Sequence, residues 1–298
     1  MVKIVECIPN ISEGRRLNVV EEILDEVRQV AGVTLLDYSS NADHNRTVIS
    51  IIGEPEKVLE AVWRLIVKAS EKIDLEQHQG EHPRMGATDV VPFVPIRGMS
   101  MEECVDLAKA LGERVGRELA IPVFLYEKAA TRPERRNLAE VRKGQYEGLK
   151  ECIMTPERAP DYGPSVMGQA GAIAIGARPP LVAFNVNLGT TNIEIGKAIA
   201  KGIRGSSGGF INVKALAIDL SEQGLVQISM NMVDTQGTPL HRALEFIKTE
   251  AAHFGVPIVG SEIVGLVPLD AMMDVATYYL GLHDFSSEQI LEKRVFNF

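Results

Sequence analysis

Three prolines, Pro83, Pro92 and Pro95, fall in the stretch GEHPRMGATDVVPFVP over residues 80–95 and leave it few conformations. Pro83 clashes with an α conformation at the residue before it, so His82 is expected to be extended or in a turn. Residues 90–96 then read as a strand. Because Pro92 and Pro95 cannot donate to a ladder, that strand is expected at a sheet edge or with a bulge. The pattern sets an imidazole at a loop-to-strand junction, where a rigid scaffold holds it within reach of a ligand. With a reference pKa of about 6.5, such a ring can give and take a proton near neutral pH. The plain alternative is a solvated loop histidine.

Around this stretch the hydrophobic periodicity gives a repeating order. Residues 2–8 read as a strand and 10–14 as a turn into a helix whose apolar face is Leu17, Val20, Ile23, Leu24 and Val27. Strands over 33–36 and 47–52 flank a polar loop, and Glu54-Pro55-Glu56 opens a second helix, with proline tolerated in its first turn. With strand 90–96 the order is βαββαβ, a ferredoxin-like plan with both helices on one face of an antiparallel sheet. Ser100 with Glu103 forms a capping box for a helix to residue 119, followed by a strand over 123–126. Residues 132–150 are rich in charge, and the proline-rich stretch 155–164 reads as a linker. Beyond it, strands are expected over 172–175 and 181–188, and Thr191 with Glu194 reads as another capping box for a helix to 203. Strands over 213–220 and 225–233, a helix over 239–254, a strand over 256–259 and a helix over 269–280 complete the chain. From Leu181 the order is again βαββαβ. The expected fold is therefore α+β: two ferredoxin-like (βαββαβ) subdomains, residues 1–178 and 179–298, with helices packed on mainly antiparallel sheets. A cleft between the halves is the default ligand site.

Composition narrows the function classes. At 298 residues and 45% hydrophobic, the chain has enough apolar mass for two cores. No run of about 18 uncharged apolar residues appears and the start lacks a signal peptide's blocks, so a cytoplasmic protein without membrane association is expected. Three cysteines with no CxxC pair indicate neither a disulfide framework nor a thiolate zinc site. A net charge of −9 disfavours nucleic acid. A local arginine cluster can still hold an anionic small molecule against that global sign.

Further groups carry two readings each. The glycine-rich stretch 163–176, GPSVMGQAGAIAIG, suits either a flat apolar ligand or tight packing between elements. The loop 202–209 lacks the GxxxxGK[ST] pattern and follows a helix, which argues against a phosphate cradle. The loop 41–46 offers an acid (Asp43), an imidazole, an amide and a guanidinium. With Asp37 it provides a carboxylate to orient His82, or it is a turn closed by local side-chain hydrogen bonds. His78 and His82 are four apart, but Gly80 and Pro83 oppose a helix and the spacing is not HExxH, so no metal site is expected.

At GEHPRMGATDVVPFVPIRG the sequence resembles the glutamate formiminotransferase family. The likeness extends through VECIPNISEG at the start, NRTV at 45–48, IPVFLY at 121–126, APDYGPS at 159–165, GAR at 176–178, LVAFNVNL at 181–188 and PIVGSEIVGLVP at 257–268. The resemblance implies formimino transfer from N-formimino-L-glutamate to tetrahydrofolate by a homodimer built of two α+β subdomains around a ligand tunnel. It maps the family's acid or base onto His82, and its folate-binding region onto Gly163, Pro164 and Ser165 with the following glycines, Gly171 among them. Substrate carboxylates require cations, for which Arg84, Arg178 and Arg204 are candidates by position. Asp43 is a further candidate for substrate binding. With the last residue at Phe298, a single activity without the fused cyclodeaminase of vertebrate members is expected. Competing expectations are an ATP-dependent 5-formyltetrahydrofolate cycloligase, formylglutamate as donor, and a folate-binding protein without turnover.

Overall fold

The computed structural model describes residues 2–296, and the chain divides into two compact units between Arg178 and Pro179. The first unit runs β1 (Ile4–Cys7), β2 (Asn10–Ile11), α1 (Leu17–Arg28), β3 (Val33–Asn41), β4 (Arg46–Gly53), α2 (Pro55–Lys72), β5 (Thr88–Arg97), α3 (Met101–Glu118), β6 (Val123–Glu127), α4 (Leu138–Val141), α5 (Gln145–Cys152) and β7 (Ile173–Ala177). The strand expected over 2–8 is Ile4–Cys7, and after a break at Ile8-Pro9 a second short strand, Asn10–Ile11, begins the stretch expected to be a turn. Both pair with β4 on one side and β5 on the other.

Helix α1 buries Val19, Val20, Ile23, Leu24 and Val27, and α2 buries seven residues at the same periodicity. Leu17, expected on the apolar face, is the first helical residue and stays exposed. The Ser100–Glu103 capping box forms as expected. Strand β5 is not at an edge. It lies antiparallel to β1 and β2 on one side and parallel to β7 on the other, and β7 in turn pairs parallel with β6. Its prolines are accommodated because the register slips past Asp89 and Ile96, leaving both without a partner on β2 or β1. Pro92 contributes only its carbonyl, which accepts the Ile8 N–H at 3.1 Å.

The second unit comprises β8 (Val182–Leu188), α6 (Ile193–Ile203), β9 (Val213–Leu220), β10 (Leu225–Met232), α7 (Leu240–His253), β11 (Ile258–Val264), α8 (Leu269–Leu280) and α9 (Leu291–Phe296). Its strands form one antiparallel sheet in the order β9-β10-β8-β11. The first unit repeats that order as β3-β4-β1/β2-β5 before adding β7 and β6. Period-2 alternation puts Val182, Phe184, Val186 and Leu188 in a core with Ile199, Ile203, Ala243 and Ile247 of α6 and α7. Ala183, Asn185 and Asn187 therefore point to the opposite face. The capping box expected at Thr191 does not form, because Asn192 is the cap and its Oδ1 accepts the Glu194 N–H at 3.1 Å. Strand β11 also extends to Val264, past the run expected over 256–259.

Candidate active site

The loop carrying His82 is pinned from three directions. Asn45, in the left-handed region at φ 48°, is buried. Its Oδ1 accepts the Gly14 N–H at 3.0 Å, its Nδ2 donates to the Gln79 carbonyl at 3.0 Å, and its carbonyl accepts from His78 Nε2 at 2.9 Å. Glu81 N–H donates to the Asp43 carbonyl at 3.1 Å. Gly80 lies so close to His44 that a Cβ would sit 2.3 Å from that residue's carbonyl oxygen. On the far side, Gly86 and Gly171 form a bridge, Ala172 N–H reaches Met85 O at 2.9 Å and Ala87 N–H reaches Ala170 O at 2.8 Å. The glycine-rich segment and the histidine loop are thereby joined backbone to backbone.

His82 is half-buried. Its Nδ1 lies 2.7 Å from the Pro83 carbonyl oxygen and 3.0 Å from Arg46 Nη1. Both neighbours cannot be served by one tautomer. A carbonyl oxygen carries no proton, so the shorter contact requires hydrogen on Nδ1, and the Nε2 lone pair is then available. Arg46 Nη1 instead directs a proton to Asp89 Oδ2 at 2.7 Å and stands beside the ring as a charge. Burial, then the Arg46 and Arg142 guanidinium groups, hold the His82 imidazole down at a pKa of about 4. The ordinary imidazole value expected from the sequence is corrected accordingly.

Asp89, fully buried, is the hub. Its Oδ1 accepts the Met85 N–H at 3.0 Å, and its Oδ2 accepts from Arg46 and Arg142. Burial works to raise its pKa, but Arg142 and Arg46 prevail and hold the carboxyl low. Arg46 also donates through Nε and Nη2 to Asn10 Oδ1, at 3.1 and 2.7 Å. Asn10, Arg46 and Asp89 thus sit on three adjacent strands, β2, β4 and β5. Arg142 arrives at the C-terminal end of α4. Arg158 clamps that turn by donating to the carbonyls of Glu140, Val141 and Lys143. The Arg142 side chain is 13% exposed, and its Nε is buried without a hydrogen-bond partner.

The cations proposed by position have partners of their own. Arg84 is buried and its five N–H groups meet five acceptors: His78 Nδ1, the His78 carbonyl, Gln145 Oε1 and both oxygens of Glu147. No donor is left for a substrate carboxylate. Asp43 and Asp37 are exposed, and the backbone carbonyl of Pro83 orients the His82 ring in place of a carboxylate. Arg178 is half-buried and acts on Glu6, whose carboxyl burial raises and Arg178 partly lowers. Arg204 bonds Ser207 Oγ at 2.7 Å. Gly163 (φ 80°) and Gly171 (φ 71°) are required by close approach, since a Cβ would fall 2.5 Å from Ile121 O and 2.3 Å from Met85 O, respectively. Pro164 and Ser165 are half-buried beside Gly163. A cavity of about 380 Å³ opens on the other side of Asn45 and His78, lined also by Glu13, Arg15, Arg16 and Lys72.

Comparison with known proteins identifies the domain that these two α+β units form. Residues 4–178 match the family described as "Formiminotransferase domain, N-terminal subdomain" and residues 183–294 match "Formiminotransferase domain". The chain belongs to this family. It is 52% identical over 297 residues to the glutamate formimidoyltransferase of Streptococcus pyogenes serotype M1, covering 99% of each chain. It is 50% identical over 296 residues to the Thermoplasma acidophilum protein of the same name, covering 99% of this chain and 98% of that one. The mouse formimidoyltransferase-cyclodeaminase is 43% identical over 94% of this chain but only 53% of its own length.

Proposed function

We propose that the chain transfers the formimino group of N-formimino-L-glutamate to the 5-nitrogen of tetrahydrofolate; two relatives aligned over nearly their whole length are named glutamate formimidoyltransferase. The observation that carries this reading is a neutral imidazole, with Nδ1 committed to a carbonyl and Nε2 available, beside two guanidinium groups that share one carboxylate. Formimino transfer passes through a tetrahedral adduct. One proton must leave the attacking nitrogen, and one must reach the glutamate nitrogen before it departs. His82 Nε2 takes the first and returns the second, a contribution typically of about 100- to 10,000-fold.

Arg46 and Arg142 carry more positive charge than Asp89 cancels, and that surplus is a place for a substrate carboxylate. A carboxylate docked there also offsets part of the charge that depresses His82. The imidazole pKa then rises toward the working pH when substrate binds. Folate contacts are assigned to Gly163, Pro164, Ser165 and the segment to Gly171, which is sewn to the histidine loop at its far end. A homodimer belongs to the same reading and is checked by sedimentation. The deciding assay supplies tetrahydrofolate and N-formimino-L-glutamate with and without ATP. Turnover without ATP is expected. Turnover seen only with 5-formyltetrahydrofolate and ATP would replace this reading with a cycloligase.

A further inference from the structure

Two sequence landmarks, LVAFNVNL and PIVGSEIVGLVP, meet on one face of the second unit's sheet. Asn185 on β8 stands opposite Glu262 on β11, and Asn187 stands opposite Gln227 on β10. Asn185 Nδ2 donates to Glu262 Oε1 at 3.0 Å. Gln227 Nε2 donates to the same oxygen at 3.1 Å and to Asn187 Oδ1 at 2.9 Å. This is the face turned away from α6 and α7, where a solvated sheet normally carries charges and threonines rather than a bonded row of amides. Asn185 is only 7% exposed and Gln227 only 8%.

The network is satisfied on one side only. An ionised carboxylate accepts and never donates, so Glu262 fixes the Asn185 amide with its nitrogen toward the carboxylate. That orientation leaves Asn185 Oδ1 buried with no hydrogen-bond partner. A buried unpartnered acceptor costs free energy unless a ligand donor fills it. Next to it, Glu262 Oε1 takes both amide donors while Oε2 takes none of the hydrogen bonds found among the described residues. Gly260, opposite Asn187, leaves open space above the sheet, because a Cβ there would meet no atom within 4 Å. Leu216 and Val264, both more than half exposed, flank the polar row on the same face.

We infer that Asn185 and Glu262 bind the N–H edge of an amidine, with the carboxylate and the amide carbonyl receiving two adjacent donors. This rests on the proposed reaction, both of whose substrates carry that chemistry. The 2-amino-4-oxopyrimidine ring of tetrahydrofolate presents an N–H beside an NH2, and the formimino group, an amidine protonated at neutral pH, also presents an N–H beside an NH2.

The test compares wild type with Glu262→Gln, Asn185→Ala and Gly260→Val, the last of which fills the space above the sheet and leaves the network intact. Tetrahydrofolate affinity is measured by calorimetry, KM for N-formimino-L-glutamate by steady-state assay, and folding by melting temperature. Each variant is expected to melt near wild type and to lose about 10- to 100-fold in one ligand parameter, the range for a charge-assisted hydrogen bond. A loss confined to tetrahydrofolate affinity assigns the face to the pyrimidine edge, and a loss confined to the donor's KM assigns it to the formimino group. Folded variants that bind and turn over both substrates like an active wild type overturn this inference and leave the proposed reaction standing. A wild-type chain that binds neither compound overturns both.

Discussion

The first unit contains two arginine clusters attached to the same loop, and they differ in how their charge is balanced. Arg84 meets Glu147 one to one, with every N–H matched and its Nε donating to His78. Arg46 and Arg142 share Asp89, with an Arg142 Nε left over and His82 at the edge. The first cluster is a structural clamp. It ties the histidine loop to α5, and Tyr146 N–H adds a 2.9 Å bond to the Arg84 carbonyl. The second holds surplus charge between two strands and the clamped end of α4, which is the state expected of a group awaiting an anion. Buried cations are therefore told apart by counting donors against acceptors, since all three arginine side chains are nearly equally enclosed, at 10 to 13% exposed.

The sharpest way to break this comparison is through the two histidines. His82→Asn keeps a polar group but cannot titrate, so kcat should fall by about 100- to 10,000-fold with tetrahydrofolate affinity little changed. His78→Asn, on the balanced cluster, should lower melting temperature and leave the chemical step alone. A single-turnover rate retained in His82→Asn would remove it as the acid or base. Next in size is the loss of each carboxylate. Asp89→Asn leaves two enclosed guanidinium groups facing each other and should cost about 3–5 kcal/mol in urea unfolding. The Glu147 side chain is 63% exposed, so Glu147→Gln should cost about 1 kcal/mol or less. Equal costs would mean that burial of the carboxylate does not separate the clusters.

The helices and most strands were legible because their periodicity is strong: α8 and β9 have the expected ends, and the ferredoxin-like order repeats in both units. Proline placement was legible only as a constraint. It called for an edge or a bulge; the register slips, and β5 is interior because β7, supplied from far along the chain, pairs with it in parallel. The non-helical placement of His82 was legible from Pro83. Asp89 carried a signal that went unread, since an acid inside an apolar strand run must be paired once buried. Arg142 carried none. It lies in a charge-rich stretch with no pattern, and only the folding of residues 137–158 brings it to an aspartate 53 residues away. Arg84 was misread because proximity in sequence to His82 says nothing of the acceptors that Glu147 and Gln145 deliver from α5.

Arg142 provides a more selective test than either carboxylate. Arg142→Gln leaves Asp89 matched with Arg46 one to one, so the fold should tolerate it. KM for N-formimino-L-glutamate should rise about 10- to 100-fold, the range for a lost charge-assisted hydrogen bond. Arg84→Gln should do the opposite, lowering stability without moving KM. A shared KM defect would show that the balanced cluster also touches substrate.

The smallest expected effect is on stability against pH, and it reads the surplus charge directly. His82 has a folded pKa of about 4, pushed down by burial and then by Arg46 and Arg142, against about 6.5 in an unfolded chain. Between these values the unfolded state binds more protons than the folded one, so stability rises with pH across the window and falls as the solution is acidified from about 6.5 to 4. His78 is shifted the same way, chiefly by burial and against the raising effect of its hydrogen bond to the Asn45 carbonyl, with Arg84 a lesser cause. Removing His82 as His82→Asn should therefore flatten the acid side of the melting-temperature profile. Arg142→Gln should flatten it partly by letting the imidazole pKa recover. If Arg142→Gln leaves the profile unchanged while His82→Asn flattens it, burial and Arg46 suffice to depress the imidazole, and the Arg142 charge has no hold on the proton that the reaction moves.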